Sequence, residues 1–107
     1  MSNYQRLDDR CVESVVIRTI LHKEVLQRAN DLSLNLDTHE VSGDEVYRHD
    51  LAAYRAYGTP TLRWVITLLA NLSDESEPLP QGSTLRLPEA AWIRERIRHY
   101  ESGGELS

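Results

Sequence analysis

A chain of 107 residues is sized for one domain with one modest core. Its 40% hydrophobic and 27% charged residues exclude wholesale disorder, and a formal net charge of -5 argues against a general nucleic-acid binder, which needs a local excess of Lys and Arg. Cys11 is the single cysteine, which excludes an internal disulfide, and no window reaches the roughly 18 apolar residues of a membrane span.

Residues 1–12 are polar and read as irregular or ordered by a partner. Their start, MSNYQRLDDR, lacks the apolar run of a secretory signal, so the protein is expected to work without export of its own. Residues 13–29 place Val16 and Ile20, then Ile17, Leu21 and Val25, at helical i, i+4 steps. The β-branched run Val15-Val16-Ile17 also suits a short strand, and a helix is the favoured reading. Residues 30–36 read as a break into an extended segment. LNLDTHEV, from Leu34 to Val41, alternates as a half-buried strand does. Ser42 to Glu45 is either a turn or a capping box.

DLAAYRAY, from Asp50 to Tyr57, sets Leu51 and Tyr54 beside Ala53 and Tyr57 on adjacent helical rows, and Gly58 is placed to end that helix with a positive φ. Thr59 and Pro60 start the next helix as N-cap and first helical residue. Leu62, Val65, Ile66 and Leu69 form its stripe, widened by Trp64 and Leu68, and Asn71 lies at or just beyond its end. Residues 73–83 form an acidic loop with a turn at Pro80-Gln81-Gly82. Thr84 to Leu87 is a short strand closed by Pro88. Residues 89–100 carry Trp92, Ile93, Ile97 and Tyr100 on one side of a last helix, and 101–107 read as a frayed tail. There is no internal repeat.

The side chains with chemical potential form no reaction centre. His22, His39, His49 and His99 have no metal-ligand spacing with Cys11 or with each other, and Glu40 and Asp44 near His39 and His49 do not make a recognisable zinc or acid–base site. Asp74, Glu75 and Glu77 lack the pattern of a calcium loop, so a solvated loop is expected. Cys11 has no identifiable base to activate it as a nucleophile. No G-x-S-x-G, P-loop or dinucleotide fingerprint occurs. Trp64, at its helical spacing, is read as core rather than as a platform for a ligand. Arg94, Arg96 and Arg98, interrupted by Glu95 and followed by Glu101, read as a solvated or partner-facing helix surface.

Three stretches share their wording with a known family. Arg48-His49-Asp50-Leu51-Ala52-Ala53-Tyr54-Arg55-Ala56-Tyr57-Gly58 resembles the "R-x-D-L-I-A-x-x-x-Y-G" text of LysM-like baseplate wedge proteins of contractile-tailed phages and related injection machines. Leu62-Arg63-Trp64-Val65-Ile66 is similar to their "L-W-W-V-I", and Asn71 falls where they often carry Asn. Leu79-Pro80-Gln81-Gly82-Ser83-Thr84-Leu85-Arg86-Leu87-Pro88 is similar to their "L-P-x-G-T-x-L-R-I-P". The likeness covers residues 38–88. Arg63 stands where relatives have a second Trp, and His49 where a Pro often starts the helix. Two extra residues separate Ser42-Gly43-Asp44 from Leu51-Ala52 by comparison with glycan-binding LysM modules.

The resemblance implies an α+β fold. A small LysM-like βααβ domain would span 34–88, preceded by an N-terminal extension, 1–33, and followed by a C-terminal helix and tail, 89–107. Leu51, Tyr57, Gly58, Leu62, Trp64, Ile66, Asn71, Gly82, Leu85 and Pro88 would be its motif and core positions. It also implies a structural role without enzymatic activity, cofactor or metal. The protein would be one of several copies in a virion tail baseplate ring, beside tube and sheath proteins, assembled in the host cytoplasm. A peptidoglycan-binding LysM module is the alternative. The apolar stripe Trp92, Ile93, Ile97 and Tyr100 either folds back onto the core or serves as a partner interface. The expectation is that 38–88 is ordered alone and that the flanks gain order in the assembly.

Overall fold

The computed structural model describes residues 7–101, which form a mixed α+β unit of four α-helices and one antiparallel pair of strands. In chain order these are α1 (Val15–Ala29), β1 (Asp37–Glu40), α2 (His49–Tyr57), α3 (Arg63–Leu69), β2 (Thr84–Leu87) and α4 (Ala90–Glu101), with short 3-10 turns at Asp9–Cys11, Gly43–Glu45 and Pro60–Leu62. The tail at 102–107 and the first six residues lie outside the described residues.

Local chemistry sets the boundaries. Ser14 caps α1, its Oγ accepting from the Ile17 amide at 3.3 Å. Gly58 ends α2 with φ 80°, where its amide donates to Tyr54 O at 2.8 Å. Thr59 then caps the turn that Pro60 opens. The α3 helix closes in a Schellman motif: the Leu72 amide donates to Thr67 O, the Asn71 amide to Leu68 O, and Asn71 takes φ 62°. The Asn of the motif is therefore a helix terminator. Gly82, at φ 84°, is the third residue of a turn in which the Ser83 amide donates to Pro80 O. It also opens a β-bulge, with Gly82 and Ser83 both opposite Val41.

Strand β1 is shorter than the alternation predicts. Leu34 is drawn into a turn by its amide bond to Asp31 O, and Arg86 holds its carbonyl. The strands pair Asp37 with Leu87 and Glu40 with Thr84. One core lies between this pair and helices α2 and α3: Val41, Ala52, Ala53, Ile66, Leu79, Leu85 and Leu87. The predicted core member Leu51 is only partly buried, and Tyr54 is exposed. The inward face of α2 is its alanines, because small side chains let that helix approach closely.

A second core is built on the opposite side of α3. Leu21 and Val25 of α1, Leu62 and Val65, Ile93, Ile97 and Tyr100 of α4, and Cys11 with Val12 are all buried together. This differs from the expectation of flanks that wait for an assembly. The segment before α1 is anchored by buried Cys11 and Val12, and α1 and α4 pack against each other and against α3. Glu24 fastens the helix pair, accepting from Arg96 at 2.8 and 3.0 Å and from the Tyr100 hydroxyl. Both cores thus draw on α3, and the second draws on residues on both sides of the 34–88 segment.

Candidate functional site

The motif residues occupy positions that make the fold. Tyr57, half-buried at the end of α2, donates its hydroxyl to Pro88 O at 2.8 Å, tying the helix to the exit of β2. Burial raises its phenol well above the ordinary value, with the Glu89 charge acting in the same direction. Leu62 and Ile66 are buried in opposite cores, and Leu85 and Pro88 are buried along the strand exit. Trp64 is partly buried against the α1–α4 core. Its indole Nε1 donates to Leu7 O at 2.8 Å and its ring stacks on His22, which in turn meets Asp9 at 2.7 Å. It secures the N-terminal segment.

The C-terminal stripe takes the first of its two readings and folds back within the chain. Ile93, Ile97 and Tyr100 were candidates for a partner interface, and the structure buries all three within the chain. They face α1 because Leu21 and Val25 present a matching row. Trp92 remains partly open, with the Arg28 guanidinium 4.6 Å from its ring centroid and Glu89 pairing with that guanidinium at 2.8 Å. The Arg28 hydrogen bonds, with help from its own amide, pull the Glu89 carboxyl down to about 2.

Sequence reasoning missed one charged anchor and read only the capping role of a second. Arg86 reaches from β2 to the end of α1, donating to Ala29 O at 2.8 Å, Asp31 O at 3.1 Å and Leu34 O at 2.6 Å. Planar guanidinium donors suit these convergent carbonyls at the negative end of a helix. Arg86→Lys is therefore expected to cost about 1–2 kcal/mol, since a single ammonium cannot span the three acceptors. Urea denaturation of the two proteins measures it. The signal was present as the Arg in the "L-R-I-P"-like text, but its acceptors lie 52–57 positions away.

The other anchor is Glu45, a completely buried carboxylate that closes the 3-10 turn before α2. It accepts from the Ser42 amide at 3.0 Å, from His39 Nε2 at 2.9 Å and from Arg55 at 3.1 Å. Arg55 also pairs with Asp44 at 2.7 Å. Burial alone would raise the Glu45 carboxyl; the Ser42 amide, His39 and Arg55 outweigh it and hold it below its ordinary value. The capping box is present as one of the two sequence readings had it, with the Glu45 side chain also serving as the hub of an ion cluster.

The departures from the family text have local partners. His49, buried at the first position of α2, joins Thr67 Oγ1 at 2.6 Å and Glu77 O at 2.7 Å. Arg63 pairs with Glu75 at 2.9 Å. Both residues fasten the acidic loop to the helices. That loop is further closed by Asp74 accepting from the Ser76 amide and Glu77 from the Ser73 amide.

Among the described residues, no group of three or more His, Cys, Asp or Glu side chains is arranged to hold a metal ion. No described helix is long and apolar enough to cross a membrane. What the surface does offer is apolar side chains: Val15 and Val16 are about 70% exposed and Ile20 follows one turn later on α1, while Tyr47 and Tyr54 stand out near α2. Exposed apolar rows on a rigid body can bind another protein by burial. No protein-family model, no curated protein and no solved structure matches this chain.

Proposed function

We propose that the chain is a non-catalytic structural subunit of a contractile tail baseplate that clamps neighbouring subunits. The observation carrying this reading is the family wording within residues 38–88, joined to the places those residues occupy. Tyr57, Gly58, Asn71, Gly82 and Pro88 each sit at a joint of a strand–helix–helix–strand unit. Partners would be tube, sheath and other baseplate proteins in a multi-copy ring, within a virion assembled in the host cytoplasm.

Clamping by this body differs from clamping by arms that order on docking. With α1 and α4 already packed, association loses little backbone entropy, and apolar burial is retained as affinity. The exposed Val15, Val16 and Ile20 face suits such a contact. Val16→Asp with Ile20→Asp is expected to cost no more than about 1.5 kcal/mol, because Val16 is 70% exposed and Ile20, at 39%, is only partly covered. The same pair is expected to lower incorporation into particles at least about tenfold, a loss of roughly 1.4 kcal/mol of contact. Thermal melts and quantitative blotting of purified particles check the two halves.

The direct test is gradient fractionation of tail particles with detection of this chain. Stoichiometric co-sedimentation with sheath and tube proteins is expected. Absence from intact particles, together with retention of the free protein on peptidoglycan, would replace this reading with the glycan-binding one.

A further inference from the structure

We propose that the outer face of α1 is where two copies of this chain meet, with their α1 helices antiparallel about a two-fold axis. The inference rests on the clamping reading for the use of that face in particles, and it names the neighbour seated there.

The exposed side of α1 has a pattern that matches its own reverse. Val16 and Ile20 are exposed one turn apart, with Val15 and Thr19 beside them. The Thr19 hydroxyl already donates to Val15 O at 2.9 Å, so covering the face strands no hydroxyl. Exposed Glu13 stands three positions before Val16, just ahead of the cap Ser14, and exposed Lys23 stands three positions after Ile20. One end of the apolar patch is therefore acidic and the other basic.

The other charged side chains of α1 have partners within the chain. Arg18 donates to Val12 O at 3.1 and 2.9 Å, Glu24 pairs with Arg96 at 2.8 Å and Arg28 with Glu89 at 2.8 Å. Glu13 and Lys23 enter no ion pair among the described residues.

In an antiparallel pair centred on position 18, Val16 of one copy lies level with Ile20 of the other, and Glu13 comes level with Lys23. One axis then meets both conditions: apolar faces apolar twice, and acid faces base twice. A parallel pair would set Glu13 beside Glu13 and Lys23 beside Lys23, which repel. A different protein would have to carry this order in reverse, and a second copy carries it already. The apolar centre is small, so the free pair is weak, with a dissociation constant on the order of 100 µM; a ring that holds copies side by side raises its occupancy.

Sedimentation equilibrium of the full chain, with the charges exchanged, tests the pairing. Glu13→Lys and Lys23→Glu alter exposed side chains. Each alone is expected to weaken self-association about tenfold, since like charges then face each other at both ends. Mixed in equal amounts, the two variants are expected to pair at least as tightly as the parent, because every acid again faces a base. An effect on folding would not be rescued by mixing. A parent chain that stays monomeric at about 1 mM would overturn the proposal. So would single variants that associate like the parent, or a mixture that pairs no better than either variant alone. The result is separate from that of particle fractionation: a monomeric chain that co-sediments with sheath and tube proteins removes the self-contact and leaves the baseplate reading in place.

Discussion

Ile97→Ala is expected to destabilise the isolated protein by about 3 kcal/mol, within the range for emptying a buried aliphatic site. Ile97 is 1% exposed and sits among Leu21, Val25, Val65 and Ile93. For a domain near this size, such a loss lowers the melting temperature by roughly 10–20 °C. An arm that docks only on a partner would behave oppositely. There the substitution would leave the free protein unchanged or slightly steadier, since Ala favours a helix more than Ile does. Calorimetry of the two free proteins therefore separates a packed α4 from an undocked one. The same substitution would weaken assembly only indirectly, because the Ile97 side chain has no surface left to offer a partner.

Glu45→Ala carries the second large effect. It removes the acceptor shared by the Ser42 amide, His39 and Arg55 and leaves those donors beside a cavity. Breaking a fully buried ion pair costs about 3–5 kcal/mol; Arg55 is partly exposed and keeps Asp44, so about 2–3 kcal/mol is expected. Glu45→Gln keeps the shape and one acceptor, and should fall between the parent and Glu45→Ala.

The two side chains also differ in pH dependence. The folded Glu45 carboxyl lies below its ordinary 4.5, so its contribution is complete above about that pH. It is lost as pH falls from there through the folded value, because the unfolded chain then binds the proton first. The stability gap between the parent and Glu45→Gln should be widest near neutrality and narrow as the pH drops below about 4.5. Equilibrium urea unfolding across that range measures it. A gap that stays constant with pH would mean that the charge on Glu45 contributes nothing.

Much of the fold was legible because its punctuation is local. Gly58, Thr59-Pro60, Gly82 and Pro88 act through the conformation of their own backbone or of the next residue, and the sequence carries that directly. The facing of α1 was not legible. Val16 and Ile20 form one i, i+4 row and Leu21 and Val25 the next, and only the presence of α4 decides that the second row is buried. Size misled on α2, where Leu51 looked like core and Ala52 with Ala53 took that place. Burial of Glu45 and the reach of Arg86 depend on residues far along the chain, so no window contains both partners. The stripe Ile93, Ile97 and Tyr100 stayed open to two readings for the same reason: an apolar stripe records that something must cover it and leaves open whether that is the same chain.

The measurement that bears most directly on this architecture is amide hydrogen exchange on the free chain, read residue by residue. Helices α1 and α4 should be protected together with α3, with their slowest amides at Leu21, Val25, Ile93 and Ile97, because one buried core holds all three. Exchange of residues 15–29 and 90–101 at the rate of an unstructured peptide, while α2 and α3 stay protected, would contradict it and return the flanks to the role of arms that order on binding.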